Sequence, residues 1–103
     1  MLVVTVMYPG GESARFDHAY YAESHMPMVR RLWKPMGLQH DQVARGVAGP
    51  DGAAPAYVVT TLLTFDSMDS FKAAADQHGA ELFGDIPNFY DGSPALGFYE
   101  TVG

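Results

Sequence analysis

Nine consecutive residues, Tyr57-Val58-Val59-Thr60-Thr61-Leu62-Leu63-Thr64-Phe65, constrain the fold of this chain more than any other segment. β-Branched and aromatic side chains dominate the run, and no glycine, proline or charge interrupts it, which is the pattern of a strand. Apolar residues fall at both odd and even positions, so neither face suits open water. Such a strand belongs inside a sheet and is expected to be covered on both sides.

The rest of the chain supplies its neighbours. A first strand is predicted over about residues 2–8, a β-branched run ended by Pro9-Gly10-Gly11. A loop leads to Asp17, whose carboxylate can cap a helix. That helix is predicted to run to about Ser24, to break, and to resume from Pro27 to about Lys34, where Pro35 stops it. Gly37 suits the left-handed residue that closes a helix. A polar second strand follows over about residues 38–47, and the turn-forming stretch Gly49–Pro55 joins it to the central strand. Asp66 or Ser67 is placed to cap a second helix over about residues 68–78, with Met68, Phe71, Ala75 and His78 on its apolar face. From Gly79 the chain is expected to be irregular, until a last strand over about residues 95–101.

The resulting order, βαββαβ, is the ferredoxin-like α+β plan: two helices on one face of a four-stranded antiparallel sheet, in one domain spanning residues 1–103. The second sheet face is then bare, roughly 350–400 Å² at the usual strand spacings. An apolar patch of that size seldom stays exposed on a monomer. Two sheets facing each other across a twofold axis would cover it, so a homodimer is expected.

Composition narrows the function classes. The formal net charge of −6, with the four arginines and two lysines scattered, argues against nucleic acid and against an anionic membrane surface. The chain has no cysteine, hence no disulfide, thiolate nucleophile or thiolate metal site. The apolar stretch Leu2–Met7 lacks a basic flank and a cleavage site, and no stretch is long enough to span a bilayer, so a cytoplasmic location is expected.

One constellation carries chemistry. Tyr21 and His25 stand four residues apart on one helical face, immediately before the interruption imposed by Pro27. An imidazole beside a phenol is an acid–base pair suited to neutral pH. The alternative is a core histidine that ties the helix break to a nearby carbonyl. His78 is a second candidate facing the same sheet surface, or else a polar cap near the end of its helix. Trp33, Phe65, Phe71, Phe83 and Phe89 are candidates to line an aromatic-accepting cavity, and equally serve as core. His18 and His25 are seven residues apart with no carboxylate at ligand spacing, so no metal site is expected. His25 or His78 could serve as a haem ligand in principle, but nothing in these residues points to haem and none is expected. No phosphate loop or G-x-S-x-G elbow is present.

Phe16-Asp17, Tyr20-Tyr21, His25, Pro27, Gly37-Leu38 and Asp85-Ile86-Pro87-Asn88-Phe89, in this order of elements, resemble the EthD family of the dimeric α+β barrel superfamily. The likeness spans essentially the whole chain. It implies a dimer and a small-molecule pocket between the helices and the sheet of each subunit. Similar barrels host cofactor-free monooxygenases, polyketide cyclases, lactone isomerases, dehydratases and haem enzymes, so the fold leaves the reaction open. The expected function is cofactor-free proton transfer on a small hydrophobic, aromatic or polyketide-like metabolite, with His25 as acid or base and Tyr21 orienting it. A non-catalytic binding or delivery protein accessory to an oxygenase is the alternative, and a cofactor-free monooxygenase ranks below it.

Overall fold

The Tyr57–Phe65 run is an inner strand of a four-stranded antiparallel sheet. The computed structural model describes residues 1–10 and 15–102. The strands are β1 (Leu2–Pro9), β2 (Leu38–Arg45), β3 (Tyr57–Phe65) and β4 (Ala95–Glu100), in the spatial order β2-β3-β1-β4. β3 pairs with β1 with Leu63 opposite Val4, and β1 pairs with β4 with Val4 opposite Phe98. The polar strand β2 lies on one edge, as its exposed side chains require. Part of the loop expected before Asp17, including Gly11 of the Pro9-Gly10-Gly11 turn, lies outside the described residues.

The two faces of β3 differ. Val59, Thr61, Leu63 and Phe65 are buried beneath the helices, while Val58, Thr60, Leu62 and Thr64 are half-buried. Double coverage is therefore not completed within the chain. Leu62 stands on the open face with Thr5 opposite, and Val3, Met7 and Tyr99 share that face by register.

The first helical segment is continuous where a break was expected. α1 (His18–Tyr20) passes into a π-helical turn, Tyr21–His25, and then into α2 (Met26–Trp33). Pro27 has no amide hydrogen, and its ring crowds the carbonyl four residues earlier. One wider turn, in which the Met26 amide donates to the Tyr21 carbonyl, absorbs the mismatch without ending the helix. Asp17 caps the start, accepting from the Tyr20 amide at 3.0 Å. Pro35 sits in a 3₁₀ turn, Lys34–Met36, and Gly37 closes it at φ 113°. A side chain there would be strained, and its Cβ would meet the Ser70 Cβ at 3.0 Å.

The second long helix, α3 (Met68–Gly84), is capped by Ser67, one of the two candidates, whose hydroxyl accepts from the Ser70 amide at 3.1 Å. It continues six residues beyond the expected end at His78. Gly79 lowers local helix propensity by about 1 kcal/mol, but it is buried, and Leu82 one turn on is 3% exposed in the core. Tertiary burial outweighs the local preference. The segment containing Leu82 and Phe83 is thus helical, not irregular.

The core lies between the helices and the sheet. Phe65, Trp33 and Phe71 meet edge to face at 5.3–5.8 Å, and the Trp33 indole donates to the Ala74 carbonyl at 3.0 Å. No helix among the described residues is long and apolar enough to cross a membrane.

Candidate active site

The start of the first helix and the segment after α3 are stitched together. Phe16 pairs with Tyr90 in a short bridge, and the Asp17 amide donates to the Phe89 carbonyl at 2.8 Å. After Gly84 the chain enters a 3₁₀ turn, Ile86–Asn88, whose first carbonyl partner is Asp85. These contacts set Asp85 against the π-helical turn, sixty residues away in sequence. There its Oδ2 lies 2.9 Å from His25 Nδ1. Oδ1 accepts from the Tyr20 hydroxyl at 2.7 Å and from the Asn88 side-chain amide at 2.9 Å. Three donors converge on one carboxylate.

The electrostatics follow from that convergence. Burial pushes the Asp85 carboxyl up, but the hydrogen bonds from Asn88, Tyr20 and His25 outweigh it and hold the group below the usual carboxylate range. His25 moves the other way. Its burial disfavours the imidazolium more than Asp85 supports it, so its pKa falls below the ordinary histidine value. Near neutral pH the pair is a neutral imidazole beside a carboxylate. A carboxylate can only accept, so Nδ1 carries the ring proton and Nε2 is left with a lone pair. Nε2 has no hydrogen-bond partner among the described residues. A base held in one tautomer by a carboxylate behind it is the arrangement that proton abstraction uses.

Tyr21 is brought beside His25, with ring centroids 5.2 Å apart and planes inclined by 18°. Its hydroxyl does not reach the imidazole. It bonds the Thr61 hydroxyl at 2.6 Å, within the core. Burial raises the phenol pKa, partly offset by the Thr61 bond, so the group stays protonated; either hydroxyl of the Tyr21–Thr61 pair can be the donor. The orienting role expected of Tyr21 falls geometrically to Asp85.

His25 and Tyr21 line a chamber between α2, the end of α3 and the sheet, together with Tyr8, Trp33, Leu82 and Phe83. Its volume is about 30 Å³. Of the aromatic residues expected there, Trp33 and Phe83 take part. Phe89 packs on the imidazole at 4.6 Å from behind, as core. Phe65 and Phe71 belong to the core triad with Trp33 and do not line the chamber. His78 is half-buried in the middle of α3 and lines neither cavity; because the helix continues to Gly84, it is no cap either. Among the described residues no three His, Asp or Glu side chains gather to hold a metal ion.

Sequence reasoning missed Asp85. Its signal was its place at the head of the Asp85-Ile86-Pro87-Asn88-Phe89 stretch, whose Asn88 side-chain amide donates to the carboxylate. A second and roomier cavity, of about 290 Å³, shares the Tyr21 and Met26 walls and extends towards β2.

Comparison with known proteins agrees with this architecture. Residues 10–93 match the EthD domain. An EthD-like protein of Ralstonia eutropha superposes with a TM-score of 0.92 at 45% identity, over 99% of this chain and 92% of that one. An ethyl tert-butyl ether D (EthD) family protein of Bacillus halodurans gives 0.78 at 21% identity, over 99% of each chain. A DABB family protein of Mesorhizobium loti with a ferredoxin-like fold gives 0.63 at 13% identity, over 99% and 97%. Curated protein sequences give no match. With the domain matched over most of its length and the fold shared throughout, the chain belongs to the EthD family.

Proposed function

We propose that this protein is a cofactor-free enzyme that moves a proton on a small hydrophobic or aromatic metabolite, in isomerisation, cyclisation, dehydration or decarboxylation. The observation that carries the proposal is the His25–Asp85 contact, 2.9 Å between Nδ1 and Oδ2 with both side chains largely out of solvent. Asp85 holds the tautomer, Nε2 takes the proton, and the low polarity around the ring keeps the imidazole neutral until it acts. Tyr21 is a protonated phenol on the chamber wall, and with Thr61 as the donor in their pair its own proton is free for an oxygen that gains negative charge.

The chamber is small, so a substrate of any bulk gains room there when a wall side chain moves. Phe83 is 39% exposed and stands at the C-terminal end of α3, so it is the wall residue with freedom to swing out. The open sheet face around Leu62 supports a homodimer, in which a second sheet covers that side.

Exchange of the α-protons of 2-tetralone in D₂O, followed by NMR, tests proton transfer without knowledge of the natural substrate. The wild type is expected to accelerate exchange, and His25→Ala to reduce that acceleration by roughly 10²–10⁴-fold with the fold retained. A wild type that binds 2-tetralone without exchanging its protons favours the alternative, a binding or delivery protein. The roomier cavity, which His25 does not line, is what supports that second reading.

A further inference from the structure

The roomier cavity has a charge pattern that the imidazole chamber lacks. Ala22, Met26, Val43 and Val59 form apolar walls, and Tyr21 separates it from the chamber. Its polar lining is His18, Arg30 and Arg45, with no carboxylate among the lining residues. The chain has twice as many Asp and Glu as Lys and Arg, 12 against 6, yet two of those six cations face this one cavity.

The two arginines differ. Arg30 is occupied: its Nε and Nη2 hold both oxygens of Asp41 at 2.8–3.2 Å. Arg45 has no ion pair among the described residues. It is near enough to His18 to disfavour that ring's protonation, second to burial and against the pull of Asp17, so the positive field reaches into the cavity. A guanidinium with an open fork above an apolar cavity matches one ligand chemistry. Two parallel N–H groups meet two oxygens of a planar anion, while its body lies on the hydrocarbon walls.

We infer that the Tyr21–Arg45 cavity binds an apolar monocarboxylate, with Arg45 gripping the carboxylate and Met26, Val43 and Val59 contacting its body. A volume of about 290 Å³ lies near the lower end of small-molecule sites, roughly 300 Å³, and leaves room for a phenylalkanoate. Neutral His18 adds one hydrogen bond at the rim. The site requires no turnover at His25, so it stands or falls separately from proton transfer.

Isothermal titration at low ionic strength with 3-phenylpropanoate and its isosteric amide, 3-phenylpropanamide, tests the inference. The wild type is expected to prefer the carboxylate by about tenfold, the scale of hydrogen bonds to a charged group. Arg45→Gln should remove the preference and leave amide affinity within about twofold, since the apolar walls are untouched. Arg31→Gln removes the same charge from an exposed residue that lines neither cavity, and should preserve the preference. Arg45 is itself exposed, so its variant should fold, and an unchanged thermal midpoint checks this. Equal affinity for acid and amide in the wild type overturns the inference. So does a preference that survives Arg45→Gln, one that Arg31→Gln abolishes as fully, or no binding of either compound at millimolar concentration.

Discussion

Replacing Asp85 by asparagine tests the site at the atom on which the proposal depends. The amide keeps the size of the carboxylate but exchanges one acceptor oxygen for a donor. Oδ1 receives two hydrogen bonds, from Tyr20 and Asn88, whereas Oδ2 faces only His25 Nδ1. The amide oxygen should therefore take the Oδ1 place, because the reverse sets two NH₂ groups, its own and that of Asn88, against each other. The new NH₂ then points at Nδ1, which must accept, and the ring proton moves to Nε2. The number of hydrogen bonds is preserved while their charge assistance is lost. The Asn88 contact is exposed and screened, so the cost comes mainly from the buried imidazole contact, about 1–2 kcal/mol. For a domain of this length that lowers the melting temperature by about 5–10 °C. The effect on proton transfer is larger, roughly 10²–10⁴-fold, because the abstracting nitrogen is now capped by hydrogen. Nitrogen-15 chemical shifts of the His25 ring read the tautomer with no substrate present. The expected result is Nδ1–H in the wild type and Nε2–H in Asp85→Asn. A wild type already in the Nε2–H form, or a variant whose tautomer does not change, refutes the reasoning.

Two further outcomes follow from the same structure. Acid should destabilise the protein in two stages with one sign: the unfolded chain binds the His25 proton more readily than the native state does, so stability falls as pH drops below about 6.5. The depressed Asp85 carboxyl adds a second loss as pH falls below about 4 and through its lower folded value; a melting temperature that rises between about pH 7 and about pH 5 contradicts this linkage. The two adjacent leucines of β3 should respond differently to glutamate. Leu63 is 3% exposed under the helices, so Leu63→Glu should cost about 4 kcal/mol or more and abolish the folded signal in circular dichroism. Leu62 lies on the open sheet face, so Leu62→Glu should stay folded and run as a monomer in light scattering, against a dimeric wild type; a wild-type mass of one chain refutes the dimer.

What the sequence determined by itself is what rests on contacts between near neighbours. The β-branched run of β3, the Asp17 cap, a cap at Asp66 or Ser67 and the left-handed turn at Gly37 are each set by a few adjacent side chains, and each was legible there. The placement of Tyr21 beside His25 was legible for the same reason, because four residues in a helical segment bring two rings together. The tertiary structure decided the rest. α3 runs through Gly79 because burial of Leu82 outweighs the local preference of glycine. The helix bends its hydrogen bonding around Pro27 instead of stopping, because its buried residues hold it against the sheet on both sides of the proline. Leu62 and Leu63 look alike in the chain, and only the packing of the helices assigns one to the core. Asp85 meets His25 across sixty residues, and Arg45 meets His18 and Tyr21 across the gap between a sheet edge and a helix. Contacts of that range leave no period or spacing in the chain, since they come into being only when the folded backbone brings the two segments together.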